Sequence, residues 1–554
     1  MKGTIKINIA NTGQAIEVGG GTTLSELLPM LREPLPFTPI CAMVNNRVES
    51  LHFPLFMPKT VEFLDPASKG SQRVMTRSLC KMLYKAVNKV HPQARLVMEH
   101  SISHGYVGRL SDRDTQQPIE PDIAALLAEM RALADADIPF LRHEALTNEV
   151  RSILKAQHLD STVRLLDTLG ELYTVYYTLD GLADIYQGPL APSTGYLKVF
   201  DLVAGYGGMI LLPPVQSDGS RAAEPVQQPK MQEAFREHLD FNRIVGVRDV
   251  GGLNRAVELN RSADLINVSE ALHSKKLAHI SDMICERGAR VVLIAGPSSS
   301  GKTTTSKRLG IQLMTNLKRP KLISLDDYFV DRDKTPLDST GDYDYESLYA
   351  LDLERLNNDL NALLAGKEIN LPTYSFELGK RVEKPRPLSL GADEVLVIEG
   401  IHGLNPELVR AVDSGSVFKV YVSALTTLAI DDHSWIPTSD NRLLRRIVRD
   451  HKYRNTSALD TIRRWDSVGR GERKWIFPFQ ENADATFNSS LLFELAVMKE
   501  YAEPLLRRVP HDIPEYSEAS RLLRFLGVFR PIPEKQIPPT SLLREFLGGS
   551  SFHY

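Results

Sequence analysis

The stretch VVLIAGPSSSGKTTTSKRL, residues 291–309, decides the fold of the C-terminal half. Val291 to Ala295 form a continuous apolar run, which is typical of a strand buried in a parallel sheet. The run leads into a loop with the pattern GxxxxGK[ST], and a helical stretch follows from Thr304 to Thr315. Glycines let successive backbone N–H groups turn towards phosphate oxygens, and a helix start adds a positive dipole end. The sequence therefore predicts a phosphate-binding P-loop between a strand and a helix of an α/β sheet.

This loop also predicts a nucleotide site with a divalent cation. Lys302 can reach the β- and γ-phosphates, and the Thr303 hydroxyl can ligate Mg²⁺. We therefore expect ATP as phosphoryl donor and Mg²⁺ as cofactor. The residues expected to contact ATP are Gly296, Pro297, Ser298, Ser299, Ser300, Gly301, Lys302, Thr303 and Thr304. The alternative is a chance glycine–serine loop, against which the flanking strand and helix argue.

Two further apolar runs end in carboxylates. Residues 322–325 lead into Asp326 and Asp327, and residues 394–398 lead into Glu399. Ligands of open α/β sheets bind at the carboxyl ends of the strands. A carboxylate such as Asp326 can accept the proton of an attacking hydroxyl there, and Glu399 can hold Mg²⁺ directly or through water. The alternative for the aspartate pair is a turn cap.

The run NRLLRRIVRD, residues 441–450, is predicted to be a basic helix. Its arginines recur at spacings of three and four, so they share part of one face. A solvated basic helix is the simpler interpretation. Beside a phosphoryl-transfer site we expect a lid that clamps phosphates, formed by Arg442, Arg445, Arg446 and Arg449.

These motifs together resemble the uridine kinase and phosphoribulokinase family of P-loop kinases over roughly residues 275–510. The resemblance implies that Asp326 is the catalytic base, with Lys302 also catalytic. It implies an acceptor site in the segments GDYDYES and LPTYSF, helped by the lid helix. The acceptor-binding residues so implied are Asp344, Tyr374, Phe376, Arg446 and Arg449.

Two positions depart from the uridine–cytidine kinase pattern. The place of a base-binding histidine falls near Gly379, and a second nucleoside-contacting arginine aligns near Thr456, with Arg454 close by. Because buried base edges need hydrogen-bond partners, these losses should change which base is accepted. We expect ATP-dependent phosphoryl transfer to a small-molecule hydroxyl, with a nucleoside 5′-OH favoured. A sugar phosphate acceptor and an NTPase switch are the alternatives.

Residues 1–65 are predicted to form a small β-rich unit. Isoleucines alternate with polar residues over 5–9, and Thr23 and Glu26 have the spacing of a capping box. Residues 41–51 are typical of a hairpin with a two-residue turn. This order of elements predicts a β-grasp and resembles a TGS domain, a module of threonyl-tRNA synthetases and some GTPases.

Residues 66–212 resemble the editing-type second domain of threonyl-tRNA synthetases, an α+β unit, through segments such as RLVMEHSISHGYVGRL and GLADIYQGPLAPSTGYLKVFDL. Arg77 and Lys81 stand in place of two histidines of that family, and Tyr186 and Leu190 replace a later cysteine and histidine. These side chains cannot substitute for imidazoles and a thiol. We therefore expect the hydrolysing chemistry of that domain to be absent.

Two histidines four residues apart, His100 and His104, offer another metal interpretation in this half. An isolated pair of this kind often arises by chance. We predict that both are ordinary polar positions near a turn.

Composition limits the remaining possibilities. The 554 residues carry 66 basic and 69 acidic side chains, a net charge of −3, which excludes a strongly cationic nucleic-acid coat protein. Three separated cysteines favour a reducing cytoplasm, and the sequence offers no apolar run long enough for a membrane span or signal peptide. For the N-terminal half, an RNA- or protein-binding regulatory role and a structural role such as homo-oligomer formation remain open. We divide the chain into units 1–65, 66–212, a linker and helical connection 213–274, a kinase domain 275–515 and a tail 516–554.

Overall fold

The alternating isoleucines at the N-terminus form an interior strand of the first sheet, in a computed structural model that describes residues 3–338, 341–375, 377–382 and 384–553. The elements of this unit are β1 (Thr4–Ile9), β2 (Gln14–Gly19), β3 (Thr22–Thr23), α1 (Leu24–Leu27), β4 (Cys41–Val44), β5 (Arg47–Ser50), β6 (Pro54–Leu55) and β7 (Lys59–Phe63). The sheet has the order β2-β1-β7-β4-β5, with β1 parallel to β7. Thr23 and Glu26 form the predicted capping box of α1. The β-grasp prediction is confirmed.

The second unit combines helices with antiparallel strands, as predicted. Its elements are α2 (Lys69–Val90), β8 (Ala94–Ile102), β9 (Gly105–Asp112), β10 (Pro118–Ile119), α3 (Ile123–Ala136), β11 (Phe140–Leu146), α4 (Thr147–Ala156), α5 (Asp160–Leu169), β12 (Tyr173–Leu179), β13 (Leu182–Asp184), β14 (Asp201–Gly205) and β15 (Gly208–Leu212). One sheet has the order β10-β9-β15-β14 with β8 on β9, and the other the order β11-β12-β13. The apolar side of α2 packs into the core of this unit.

The predicted linker is largely folded. Its elements are β16 (Pro214–Val215), β17 (Asp218–Ala222), α6 (Pro229–Val245), α7 (Val250–Glu258) and α8 (Ser262–Arg287). On α6, the ring of Phe235 is buried and stacks on His100 at 3.8 Å. The helices of this connection, which the sequence predicted after an exposed loop at 213–229, bury apolar faces against both halves.

The C-terminal half is organised by a parallel sheet with the order β19-β24-β18-β25-β28. Its elements are β18 (Val291–Ala295), α9 (Lys302–Thr315), β19 (Arg319–Ser324), α10 (Leu353–Leu364), β20 (Ile369–Asn370), β21 (Tyr374–Ser375), β22 (Lys380–Arg381), β23 (Pro387–Leu388), β24 (Glu394–Glu399), β25 (Val417–Ser423), β26 (Ala429–Asp431), β27 (Ser434–Trp435), α11 (Thr438–Arg454), α12 (Ala458–Trp475), β28 (Ala485–Asn488), α13 (Glu494–Leu506), α14 (Tyr516–Gly527) and α15 (Arg544–Leu547). The central strand β18 is buried along its whole length. The predicted α/β sheet with a P-loop is confirmed.

Residues 516–554, predicted as a tail, pack against the kinase core. Leu522 and Leu526 of α14 are fully buried in the same apolar cluster as the sheet. Arg521 donates to Asp440 at 2.6 and 2.9 Å, which ties α14 to the start of α11. Across the described ranges, no helix combines the length and apolar character that crossing a bilayer requires.

Candidate active site

The phosphate loop lies where β18 ends and α9 begins. A side chain at Gly296 would place its Cβ 1.9 Å from the carbonyl oxygen of Val422, so only glycine fits beside β25. Gly301, at the start of α9, has a φ of 87°. Ser299 also lies in the left-handed region, with a φ of 59°. These constraints fold the loop back on itself at the carboxyl edge of the sheet.

Lys302 and the carboxylate of Glu399 face each other across this edge. Lys302 Nζ donates to the carbonyls of Gly296 and Pro297 at 2.9 and 3.1 Å. Burial lowers the pKa of Lys302, although the charges of Glu399 and Asp326 favour its protonated form. Burial raises the pKa of Glu399 to about 7, and the neighbouring charge of Asp326 adds to this rise.

The oxygens around Glu399 are of the kind that Mg²⁺ prefers. The Thr303 hydroxyl donates to Glu399 Oε1 at 3.3 Å, and the Ser324 hydroxyl donates to the same oxygen at 3.4 Å. Hydroxyl and carboxylate oxygens suit this hard cation. The donor set therefore fits the predicted magnesium site. Among the described residues, no group of three or more His, Cys, Asp or Glu side chains is placed to hold a metal ion.

The two aspartates after β19 have different surroundings. Asp327 accepts from Arg386 at 2.9 Å. Asp326 opens onto the cleft, where burial raises the pKa of its carboxyl and the charge of Lys302 opposes this effect. Asp327 is thus held in an ion pair, whereas Asp326 faces the phosphate loop.

The predicted acceptor residues lie on the segments after β19. Asp344 Oδ1 accepts from the backbone N–H of Glu346 at 3.2 Å. The ring of Tyr374 is largely buried and lies 5.6 Å from that of Phe329. Phe376 falls outside the described residues. Arg381 donates to Asp352 at 2.9 Å and to the carbonyl of Phe329 at 3.1 Å, so its guanidinium group stabilises the fold of this region.

Glu346 was missed by the motif analysis. Its Oε2 is buried and makes no hydrogen bond within the described ranges. Burial raises the pKa of Glu346 to about 7, and the charge of Glu472 adds to the effect, whereas Arg446 and Lys302 oppose it. The available signal was its position in GDYDYES, two residues after Asp344.

Two of the four predicted lid arginines are buried in ion pairs. Arg442 donates to Glu472 at 2.5 and 2.8 Å and to the carbonyl of Ser298 at 3.1 Å. Arg445 is fully buried and donates to Glu494 at 2.6 and 3.1 Å. Both guanidinium groups donate to backbone carbonyls of the phosphate loop, Arg442 to Ser298 and Arg445 to Ser299. Arg442 and Arg445 therefore support the loop and do not form the predicted lid over the phosphates.

The other two arginines lie on the cleft side of α11. Arg446 donates to the hydroxyl of Ser298 at 2.9 Å and to Asp450 at 3.2 Å. Arg449 donates to Asp450 at 2.7 and 2.9 Å. Both side chains remain partly exposed, so they are placed to contact a phosphate held by the loop.

The positions that depart from the synthetase pattern lie beside a hairpin from the C-terminal half. This hairpin, formed by β26 and β27, places Nδ1 of His433 2.7 Å from Oδ2 of Asp184, and both side chains are buried. Burial lowers the pKa of Lys81 to about 8, although the charge of Asp184 opposes this effect. Tyr186 and Leu190 are also buried. We call Lys81, Tyr186, Asp184, Asp431 and His433 the junction cluster.

Arg77 and the two histidines, for which we predicted no metal-binding role, make contacts with protein groups. Arg77 donates to the carbonyl of Pro189 at 2.9 and 3.2 Å. His100 is buried and lies 3.3 Å from Gln232, whereas His104 is exposed and lies 3.2 Å from a backbone carbonyl. The two histidines thus have separate partners.

A phosphate loop followed by carboxylates at the ends of neighbouring parallel strands defines the class of P-loop kinase folds. Within this class, residues 291–492 match the model described as the Phosphoribulokinase / Uridine kinase family. The N-terminal half matches threonine–tRNA ligases, which agrees with the predicted synthetase-like region.

Individual relatives match one half of the chain or the other. The threonine–tRNA ligase of Desulforamulus reducens is 29% identical over 202 residues, which are 36% of this chain and 31% of that protein. The uridine kinase of Staphylococcus aureus is 29% identical over 201 residues, covering 36% of this chain and 86% of that protein. The uridine kinase of Halobacterium salinarum is 31% identical over 159 residues, covering 28% and 60%. The chain thus spans about a third of the length of the ligases that it matches.

Among solved structures, a "Possible Uridine Kinase" from Bacillus stearothermophilus is 22% identical, with a TM-score of 0.25. It covers 38% of this chain and 97% of that one. The D-glycerate 3-kinase of Cryptococcus neoformans is 13% identical, with a TM-score of 0.20, and covers 50% and 90%.

Proposed function

We propose that the C-terminal half transfers the γ-phosphoryl group of ATP to a hydroxyl of a small molecule, with a nucleoside 5′-OH as the favoured acceptor. The observation that carries this proposal is that Lys302 and Glu399 meet at the phosphate loop, where Lys302 donates to the loop carbonyl of Gly296 and Glu399 accepts from Thr303, with Asp326 within electrostatic range of both. The sequence relatives named uridine kinase support the nucleoside over other acceptors.

In this proposal each group has a separate task. The loop amides and Lys302 hold the phosphates, and Asp326 accepts the proton of the attacking hydroxyl. Arg446 and Arg449 stabilise the charge that spreads over the transferred phosphoryl group. Asp344 and Tyr374 bind the acceptor, and Glu346 lies within electrostatic range of both Asp344 and Lys302.

Thr303 and Glu399 would hold Mg²⁺ in the loaded site. The cation would neutralise charge on the β- and γ-phosphate oxygens. A carboxylate with a raised pKa binds a cation in its ionised form, so magnesium binding should release a proton from Glu399 near neutral pH.

A screen of nucleosides and sugar phosphates with γ-labelled ATP tests the proposal. We expect label on at least one nucleoside, and removal of Lys302 in a Lys302→Ala variant should slow the transfer by about 10²–10³-fold. Lys275→Ala, an exposed position on α8, is the matched control. Label that appears only as free phosphate, at a rate independent of any acceptor, would favour the NTPase alternative.

A second candidate is an RNA-binding role for the N-terminal half, and one surface feature favours it. A groove of about 420 Å³ between the second unit and the linker helices α6 and α7 is lined by Arg95, Arg164, Arg243, Arg248, Arg255 and Arg261. Four of these are already in ion pairs, with Asp432, Asp249, Asp240 and Glu258. A gel shift with total tRNA over a salt series tests this role, with Arg248→Ala plus Arg261→Ala as the weakened variant. A shift that is absent, or unaffected by salt and by the variant, would exclude RNA binding at this groove.

A further inference from the structure

The C-terminal end of the chain lies on the phosphate loop. Helix α15 brings Glu545 to the first turn of α9, where its Oε2 accepts from the backbone N–H of Thr304 at 3.1 Å. The same oxygen accepts from the Thr304 hydroxyl at 2.6 Å. The first-turn amides of a helix lack partners within the helix and are the donors that bind phosphate oxygens. A carboxylate of this chain therefore sits where the loop would receive an anion.

Apolar packing fixes this segment, residues 541–549, in place. Its fully buried apolar side chains are Leu542, Leu543, Phe546 and Leu547. Leu542 presses on the loop so closely that a Cβ at Gly301 would lie 2.7 Å from it. The ring of Phe546 lies 5.0 Å from the guanidinium of Arg445, and Lys452 donates to the carbonyl of Leu547. The segment is thus seated between the loop and α11.

The charge of Glu545 works against a triphosphate in the same place. ATP would bring further negative charge to these donors. Since a carboxylate and a phosphate cannot share one amide and one hydroxyl donor, the two ligands exclude each other.

We propose that Glu545 occupies a phosphate position of the nucleotide site, and that residues 541–549 must move away before MgATP binds. The C-terminal segment is then an autoinhibitory contact. The apparent dissociation constant of MgATP equals the intrinsic constant divided by the fraction of molecules with the segment displaced. This inference rests on the proposed nucleotide site, which the experiment below tests separately.

Titration of the full chain with MgATP, followed by calorimetry, measures the effect. Glu545→Gln keeps the side-chain shape but removes the charge, and charge-assisted hydrogen bonds are about twice as strong as neutral ones. We expect MgATP to bind this variant about threefold to tenfold more tightly than the native chain. Glu500→Gln, an exposed position on α13, makes the same charge change and should leave the affinity unaltered.

Hydrogen exchange on the native chain provides a readout that does not depend on a variant. MgATP should accelerate exchange in residues 541–549, because the segment leaves the loop. Slower exchange there, or equal or weaker affinity in Glu545→Gln, would overturn the displacement and make Glu545 part of the filled site. Absence of binding in both the native chain and the variant would instead overturn the proposed function, and the inference with it.

Discussion

The cleft at the phosphate loop and the junction cluster both gather charged side chains, but the cleft opens to solvent and the junction cluster is closed off from it. In the junction cluster, His433 and Asp184 lie 2.7 Å apart and are closed off from solvent. In the cleft, Asp326 opens to solvent and Glu399 has a pKa of about 7. Charged groups that are closed off from solvent are out of reach of a ligand, whereas groups with shifted pKa values beside an opening are suited to binding one.

The junction cluster also joins the two halves of the chain. The junction lies at the positions where the synthetase-like domain departs from its family pattern, and a hairpin of the C-terminal half now contributes His433 there. Backbone contacts reinforce the joint, since the N–H of Met98 donates to the carbonyl of Asp432 at 2.7 Å. The second unit and this hairpin therefore contact each other through both side chains and backbone.

The largest effect is expected from Asp326→Asn. If this carboxylate is the base, kcat should fall by about 10²–10⁴-fold while MgATP affinity changes little. Asp327→Asn is the matched control, because Asp327 is held by Arg386, and its kcat should fall less than about tenfold. Steady-state kinetics with the acceptor from the screen measures both. Near-normal turnover in Asp326→Asn would remove the assignment of the base.

The next effect concerns stability and should leave the chemistry intact. His433→Ala strands the buried Asp184 carboxylate, and breaking a buried pair costs about 3–5 kcal/mol of unfolding free energy. We expect a lower Tm in a thermal melt, with unchanged phosphoryl transfer at low temperature. His279→Ala, an exposed histidine on α8, should leave Tm almost unaltered. A large loss of kcat without a change in Tm would reverse the roles that we assign to the two regions.

The sequence could predict local structure, such as the phosphate loop and its flanking strand and helix, but not the contacts between residues far apart in the chain. The apolar run at 291–295 and the loop after it correspond directly to β18 and the start of α9. Arginine spacing on α11 predicted a shared face, yet it could not show that Arg445 would be buried against Glu494. The partners Glu545 and Thr304 are 241 residues apart, and His433 and Asp184 are 249 apart. No periodicity or motif carries information over such separations.

The smallest effect is a dependence of stability on pH through Asp431. Burial, together with the charge of Asp184, raises the pKa of Asp431 to about 7, above its value in the unfolded chain. The folded state therefore holds a proton that the unfolded state releases, and the stability from this group is present below about pH 4 and lost as pH rises through about 7. Asp431→Asn keeps an acceptor for the backbone N–H of His433, at 3.0 Å, but cannot titrate.

The difference in Tm between the native chain and Asp431→Asn isolates this group from all others. We expect the Tm of the native chain to fall relative to that of the variant between pH 5 and pH 7. Only the native chain carries a proton on residue 431 that unfolding releases in this range. The matched control is Asp512→Asn, an exposed position whose Tm should follow the native curve. His433 acts in the same direction at higher pH: burial lowers its pKa, but Asp184 more than compensates and raises it, so its contribution declines above about pH 6.5. A Tm difference that stays constant from pH 5 to pH 7 would show that Asp431 is ionised in the folded chain. Burial in the junction cluster would then not raise the pKa of this carboxyl.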